Sequence, residues 1–386
     1  MKILIVSDYF QPKIGYTKVQ VARHLMSLGH TVKILTSDRY FPFHNYETTT
    51  KKLIGKRIRS IGQKKENRFL VERKKILFEA FTRVVFTGIE ESITEYKPNL
   101  VIVFGISTYT CYKVAKLKKK LNFKLIIADS HLPSELSSGN MYLKNTFYYI
   151  FRLLFSRVIS EESDKVIAIQ DKTKEVIRDI YGINKKINIV PNGTDINLFK
   201  FSNKERNNIR KELNISKDSF VIIYTGKVIK QKGLDILFKS FNSLINKKEI
   251  YLLIVGGGPK EYIDECYKII DKDNHRLIKL VGFKDQKNLF KYYSASDLAV
   301  WPLQESLAMN DAAACSLPFI ANSTMGDKTR LSNKNALLYK KGDADNLSKK
   351  IKIFIKNKRL RVKMGKNGRE LMVKKLSWEK ISKQYL

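Results

Sequence analysis

The run Phe220-Val221-Ile222-Ile223-Tyr224-Thr225-Gly226-Lys227, followed by Lys232-Gly233-Leu234-Asp235, decides the fold. Its opening β-branched and aromatic residues predict a buried strand, and Gly226 ends it. Apolar periodicity then predicts a helix that begins near Gly233. Lys227 and Lys232 flank the turn between the two. They put two ammonium groups beside a helix N-terminus at the carboxyl end of a strand, where doubly wound sheets bind phosphate-bearing ligands. The segment predicts a diphosphate clamp made of lysines. The chain has neither G-x-G-x-x-G after a strand nor G-x-x-x-x-G-K-[ST].

The same alternation runs along the whole sequence. Strand-like apolar runs at 3–6, 32–35, 100–104, 125–128, 166–169 and 187–190 are separated by helical periodicity such as Val19, Ala22, Leu25 and Met26. A second series follows at 221–224, 251–255, 277–281, 298–301 and 319–321. Such alternation predicts parallel sheets with helices on both faces. Two series in 386 residues predict an α/β protein of two Rossmann-like, doubly wound domains. Turn and polar residues from Pro191-Asn192-Gly193 to Lys211 mark the boundary region. The expected division is 1–195, 196–370 and a closing helix, 371–386, that returns to the first domain.

Lys and Arg number 73 against 37 Asp and Glu, a net charge of +36. That excess draws a protein towards nucleic acid, anionic lipid heads or phosphorylated substrates. The lysines are dispersed and no recognition-helix motif accompanies them, so nucleic acid is not the expected partner. A general lysine bias over solvated faces is the plain alternative. Cys111, Cys266 and Cys315 lie far apart without C-x-x-C, which argues against a disulfide framework or a zinc site. Met1-Lys2 leads straight into a strand, so no signal peptide is expected, and no apolar run approaches the ~20 residues of a membrane span. Residues 145–159 (NTFYYIFRLLFSRVI) are aromatic and apolar, flanked by Lys144, Arg152 and Arg157. They predict either a helix buried on the sheet or an interfacial helix on anionic lipid, to which a helix around 73–83 would add.

Several pieces recur in a fixed order. They are Ile3-Leu4-Ile5-Val6-Ser7-Asp8 with Pro12 and Gly15; Leu28-Gly29-His30-Thr31-Val32; and Val190-Pro191-Asn192-Gly193-Thr194-Asp195 closing on Phe199. Then come Gly226-Lys227 with Lys232-Gly233; Gly256-Gly257-Gly258-Pro259; Gly282-Phe283; Ala295-Ser296-Asp297 leading to Trp301-Pro302; and Asp311-Ala312 with Cys315 and Pro318. In this order the chain resembles the family 4 retaining glycosyltransferases of the GT-B fold. The resemblance implies two Rossmann-like domains facing across a cleft, with the nucleotide-sugar donor on the second and the acceptor on the first.

It also implies roles. Lys232 matches the family's lysine, and Lys227 stands where the family usually has Arg. The backbone at Phe283 would recognise the base, and Gly226 would open the phosphate turn. The family carries two Glu with seven residues between them; the second falls at Asp311, which would accept ribose hydroxyls. The first falls at Leu303, and the available carboxylate is Glu305, so whether Glu305 inherits the catalytic contact stays open. N–H groups of Ser306, Leu307, Ala308 and Met309 would meet phosphate or sugar oxygens. Gly15-Tyr16 replaces the family's Gly-Gly and would approach donor phosphates or acceptor. His131, after a strand ending at Ala128, would face the sugar, with Asp129 orienting it.

The expected function is transfer of a hexose-type sugar, with retention, from a UDP- or GDP-linked donor to a hydroxyl of a saccharide or lipid-linked acceptor. No cofactor and no metal are expected, because no Asp-x-Asp lies at a strand end. The expected place is the cytoplasm, peripheral on the inner face of the plasma membrane, in cell-surface polysaccharide or glycolipid synthesis. A catalytically weakened GT-B homologue or a non-catalytic polyanion-binding protein is the alternative.

Overall fold

The structure is a computed structural model. It describes all residues except 44, 45, 48, 49, 81, 134–140, 246–248 and 326, and no side chains at 141–144. Its contacts divide the chain into two units, Met1–Asn192 with Ile381–Leu386, and Gly193–Lys380.

The first unit holds an eight-stranded sheet. Its strands are β1 (Lys2–Ser7), β2 (Thr31–Ser37), β3 (Gly62–Glu66), β4 (Phe69–Lys74), β7 (Leu100–Phe104), β8 (Lys124–Asp129), β9 (Lys165–Ala168) and β10 (Ile187–Ile189). The spatial order is β10-β9-β8-β7-β1-β2-β4-β3, parallel except for the β3–β4 pair. Ile3, Leu4, Ile5 and Val6 are wholly buried, the continuous apolar run of a strand covered on both faces. Helix Thr17–Ser27 buries Val19, Val21, Ala22 and Leu25 and stops where Gly29 takes φ +86°.

Two expectations fail in this unit. Residues 73–83 are not a helix. Phe69–Lys74 is β4, in parallel register with β2, and the chain then forms a hairpin of β5 (Ile76–Ala80) and β6 (Arg83–Phe86). The β-branched Ile76, Val84 and Val85 suit a pleated surface, and the Asp8 carboxylate accepts the Val84 N–H at 3.0 Å to latch the hairpin. The aromatic run is not one helix either. It divides into Met141–Leu154 and Ser156–Glu162, because Phe155 leaves helical geometry at φ −120°, ψ −30°. Tyr148, Phe151 and Ile159 face the core, while Tyr149, Ile150, Leu153 and Leu154 face outward. The buried face fits a helix packed on the sheet, and the outer face leaves four large apolar side chains exposed. The side chain of Lys144 lies outside the described residues.

The second unit holds six parallel strands, β11 (Phe220–Thr225), β12 (Ile250–Val255), β13 (Ile278–Leu280), β14 (Leu298–Trp301), β15 (Phe319–Asn322) and β16 (Ala336–Tyr339). Their order is β13-β12-β11-β14-β15-β16, so strand order reverses between β11 and β14. Helix Leu234–Asn242 lays Leu234, Leu237, Phe238 and Phe241 into the core, one stripe at helical spacing. Each such side chain contributes about 1.5–3 kcal/mol on burial. An ion-pair knot braces the sheet from behind. Asp297 accepts from Arg206 at 2.9 Å, from Arg210 at 2.8 Å and from the Val221 N–H at 2.9 Å.

Residues 371–380 stay with this second unit, and the chain passes to the first only at Ile381. The reason is a backbone clasp: Thr194 N–H donates to Leu376 O at 2.9 Å and Trp378 N–H to Thr194 O at 3.1 Å. The same clasp places Gly193 and Thr194 in the second unit.

Candidate functional site

In the second unit the site sits where strand order reverses. The loops after β11 and β14 meet there, each held by backbone geometry. Gly226 takes φ +145°, and its N–H donates to Val255 O at 3.1 Å. The Val228 N–H donates to Gly257 O at 2.9 Å. A Cβ on Gly256 would lie 1.8 Å from Gly226 O, and one on Gly258 would lie 1.7 Å from Val228 O. The glycine triplet therefore lets two turns touch.

The loop after β14 is pinned through four carbonyls. Tyr339 Oη donates to Pro302 O at 2.7 Å, and Asn322 Nδ2 to Leu303 O at 2.6 Å. Lys232 Nζ reaches Glu305 O at 3.4 Å, and Arg330 donates to Ser306 O at 2.8 Å. Leu303, at the position of the expected first carboxylate, packs on the turn that opens the next helix; a Cβ on Gly233 would lie 2.5 Å from its Cγ. Glu305 is half-buried in the same loop.

Lys227 is exposed and Lys232 half-buried. Burial, and then the neighbouring Lys227 charge, push the Lys232 ammonium below its ordinary pKa. Among the described residues the ion pairs of this unit include neither lysine. Two close cations without a carboxylate partner make a site that an anion would relieve.

One expectation here needs correction. Of the four N–H groups at 306–309, two are engaged within the turn: Ala308 N–H donates to Ser306 Oγ at 3.3 Å and Met309 N–H to Ser306 O at 3.1 Å. Ser306 caps its own turn, as a serine at a helix start does. Met309 is buried, and Leu307 is exposed.

Asp311 lies in the helix Ala308–Ala314 and is buried. Its Oδ1 accepts from the Thr194 hydroxyl at 2.6 Å, and Oδ2 from Gln286 Nε2 at 3.4 Å. Burial pushes its carboxyl up to about 7, against the pull of the Thr194 and Gln286 hydrogen bonds. Phe283 follows β13 and is 66% exposed, with Gly282 bridged to Gly256.

The first unit carries its own cavity, of about 620 Å³, at the carboxyl ends of β1, β7 and β8. Tyr16 and His131 both line it, with Gly15 just before Tyr16. Tyr16 stacks on Phe43, ring centroids 6.3 Å apart. His131 Nδ1 lies 2.6 Å from Asp129 Oδ1. Burial pushes the Asp129 carboxyl up, but the His131 ring and the His131 and Ile106 N–H groups outweigh it and hold it at about 2. An ionised carboxylate only accepts, so Nδ1 carries the proton.

Sequence reasoning missed several cavity groups. Asp8 is buried and accepts from Thr110 Oγ1 at 2.7 Å; burial pushes its carboxyl up. Burial pushes the Lys18 ammonium down to about 8. The Arg83 guanidinium lies 4.9 Å from the Phe147 ring centroid and donates to Ser107 O at 2.7 Å. Only Asp8 left a signal, an acid at a strand's carboxyl end; the others reach the cavity through pairings that no local pattern encodes.

Comparison with known proteins adds the following. The profile described as "Glycosyl transferases group 1" matches residues 205–371, and that described as "Glycosyltransferase Family 4" matches residues 17–198. The chain is 26% identical over 255 residues to the capsular polysaccharide biosynthesis glycosyltransferase CapM of Staphylococcus aureus, covering 62% of this chain and 66% of that one. It is 24% identical over 235 residues to a GDP-mannose-dependent monoacylated alpha-(1-6)-phosphatidylinositol monomannoside mannosyltransferase of Corynebacterium glutamicum, covering 58% of this chain and 59% of that one. The matches to these two curated relatives therefore span less than two thirds of each. Among solved structures, HepE of Anabaena in complex with UDP superimposes with a TM-score of 0.72 at 15% identity, covering 100% of this chain and 98% of that one.

Proposed function

Because this chain belongs to the group 1, family 4 glycosyltransferases and has their GT-B fold, we propose that it transfers a hexose-type sugar from a nucleoside diphosphate to a hydroxyl. The observation that carries the proposal is the pair Lys227 and Lys232, close cations that among the described residues have no carboxylate partner, at the strand-order reversal. A leaving diphosphate gathers negative charge as the anomeric bond breaks, so fixed cations stabilise the transition state more than the ground state.

The reaction is a front-face displacement with retention. The acceptor oxygen bonds to the anomeric carbon, the bond from that carbon to the phosphate oxygen breaks, and the acceptor's proton passes to the leaving phosphate. His131, oriented by Asp129, is the first unit's candidate for hydrogen bonding a sugar hydroxyl. Asp311 accepts ribose hydroxyls, the backbone beside Phe283 meets the base, and Gly226, Ser306 and Leu307 contact phosphate or sugar oxygens. The relatives' names point to both UDP and GDP, so both belong in the test.

The acceptor is a saccharide or a lipid-linked hydroxyl compound, in cell-surface polysaccharide or glycolipid synthesis. Tyr149, Ile150, Leu153 and Leu154 form an exposed apolar face with Arg152 and Arg157 beside it, which suits a peripheral position on anionic lipid at the inner face of the plasma membrane. No helix among the described residues is long and apolar enough to cross a membrane.

Leu303 favours a second reading, a weakened homologue that binds donor without turning it over, because an apolar side chain stands where the family places a carboxylate. Calorimetric titration of wild type and Lys232→Ala with UDP and GDP decides the main proposal. Wild type should bind one of them, and the variant should bind it about 10-fold or more weakly. Equal binding by the two proteins ends the clamp assignment. Donor binding without hydrolysis or transfer across a panel of nucleotide-sugars would favour the weakened homologue.

A further inference from the structure

Thr194 stands at the start of the second unit, and its hydroxyl is spent on a carboxylate of the same unit. Thr194 is 1% exposed and Asp311 5% exposed, so their 2.6 Å hydrogen bond is shielded from water. The Thr194 backbone is fixed independently, by Leu376 O on one side and Trp378 N–H on the other. The hydroxyl therefore has one place to point. The other Asp311 oxygen is treated differently. Gln286 is exposed, and its amide reaches Oδ2 at a loose 3.4 Å. One oxygen is held permanently, and the other carries a surface side chain that a competing donor can displace.

We propose that Thr194 is a positioning residue for nucleotide recognition: it fixes Asp311 through Oδ1 so that Oδ2 is presented to a ribose hydroxyl, with Gln286 as a displaceable placeholder. This rests on the reading of the second unit as the nucleotide-sugar site. A hydroxyl of the sugar would replace the Gln286 N–H, and the carboxylate would keep two donors throughout.

The charged and titratable surroundings of Asp311 agree. Asp195 opposes its ionisation, and Arg330 favours it. Tyr293 and Cys315 are both held neutral, first by burial and then by the Asp311 charge. In this setting the Thr194 hydrogen bond does most to favour the carboxylate over the neutral acid.

The test is titration of full-length wild type, Thr194→Val, Thr194→Ser and Gln286→Ala with UDP, GDP and the corresponding 2′-deoxy diphosphates, between pH 6 and 8.5. Thr194→Val keeps the shape and removes the donor; melting temperature monitors folding. Thr194→Val should weaken diphosphate binding about 10-fold. It should also lose the preference for ribose over deoxyribose and move the acid limb of binding to higher pH. The nucleotide's own ionisation is common to all four proteins. Thr194→Ser should restore all three readouts, and Gln286→Ala should bind at least as tightly as wild type. Unchanged ribose preference and pH profile in Thr194→Val, in a wild type that binds, overturn the inference while leaving the donor site standing. Failure of Thr194→Ser to rescue likewise overturns it, since the role is then structural. If wild type binds neither diphosphate, the reading of the site itself has failed.

Discussion

The Asp129 carboxylate gathers three donors on one oxygen: the backbone N–H groups of Ser130 at 2.7 Å and His131 at 2.8 Å, and the His131 ring nitrogen at 2.6 Å. Its second oxygen accepts the Ile106 N–H at 2.9 Å. The carboxylate thus ties the loop after β8 to the loop after β7 and fixes the proton on His131 Nδ1.

Stability against acid should report this tie. The folded Asp129 carboxyl ionises at about 2 and an unfolded one at about 3.9, so folding favours the ionised form. The contribution, about 2–3 kcal/mol, is complete above pH ~5 and is lost as pH falls through ~2. Denaturant unfolding of wild type and Asp129→Asn should show that gap at pH 7, narrowing below pH ~4 and mostly gone by pH ~2. A gap that stays constant with pH contradicts the assignment.

The reach of the sequence can be judged at particular residues. The strands were legible because their residues are apolar on both faces, as at 220–225 and 250–255, and parallel strands buried on both sides must be so. The hairpin at 76–86 was not, since Ile76, Leu77, Ala80 and Val84 fit helical and strand spacing alike, and Val84's anchor is Asp8, far away in sequence. In the site, the lysines were legible from a strand–turn–helix context. Thr194 and Gln286 were not, because their partnership with Asp311 spans long sequence separations.

The glycine triplet makes a sharp contrast within three residues. Gly257→Ala meets nothing within 4 Å, whereas a Cβ at Gly256 or Gly258 would fall inside the carbonyl oxygens of Gly226 or Val228. Backbone cannot yield there as a side-chain tip can. Gly256→Ala and Gly258→Ala should each cost more than about 2 kcal/mol, and Gly257→Ala less than about 1 kcal/mol. Thermal melts of the three variants check the order. Similar losses at all three positions would contradict the close approach of the two turns.

Lys227→Arg should strengthen diphosphate binding. Lysine offers a point charge on a flexible stem, and arginine a planar fork that meets two phosphate oxygens at once. Lys227 is exposed, so the larger head has room. A gain of about 1 kcal/mol, roughly five-fold in Kd, is expected by calorimetry with UDP or GDP. Weaker binding by the arginine variant would place Lys227 outside the clamp.

Ser316 shows what a missing glycine costs. The helix Ala308–Ala314 ends in a Schellman arrangement, with Leu317 N–H donating to Ala312 O at 3.1 Å and Ser316 N–H to Ala313 O at 3.0 Å. Ser316 therefore stands at C′ with φ +59°, the left-handed region that glycine occupies without penalty. Ser316→Gly relieves the Cβ clash but gives the unfolded chain more freedom, so the two effects partly offset. Relief of about 1–2 kcal/mol should win, leaving a net gain of about 0.5–1 kcal/mol in unfolding free energy. Ser316→Val, whose branched Cβ resists positive φ, should lose stability relative to wild type. Paired denaturation curves decide the matter, and a Ser316→Gly variant less stable than wild type would show that the serine is not strained.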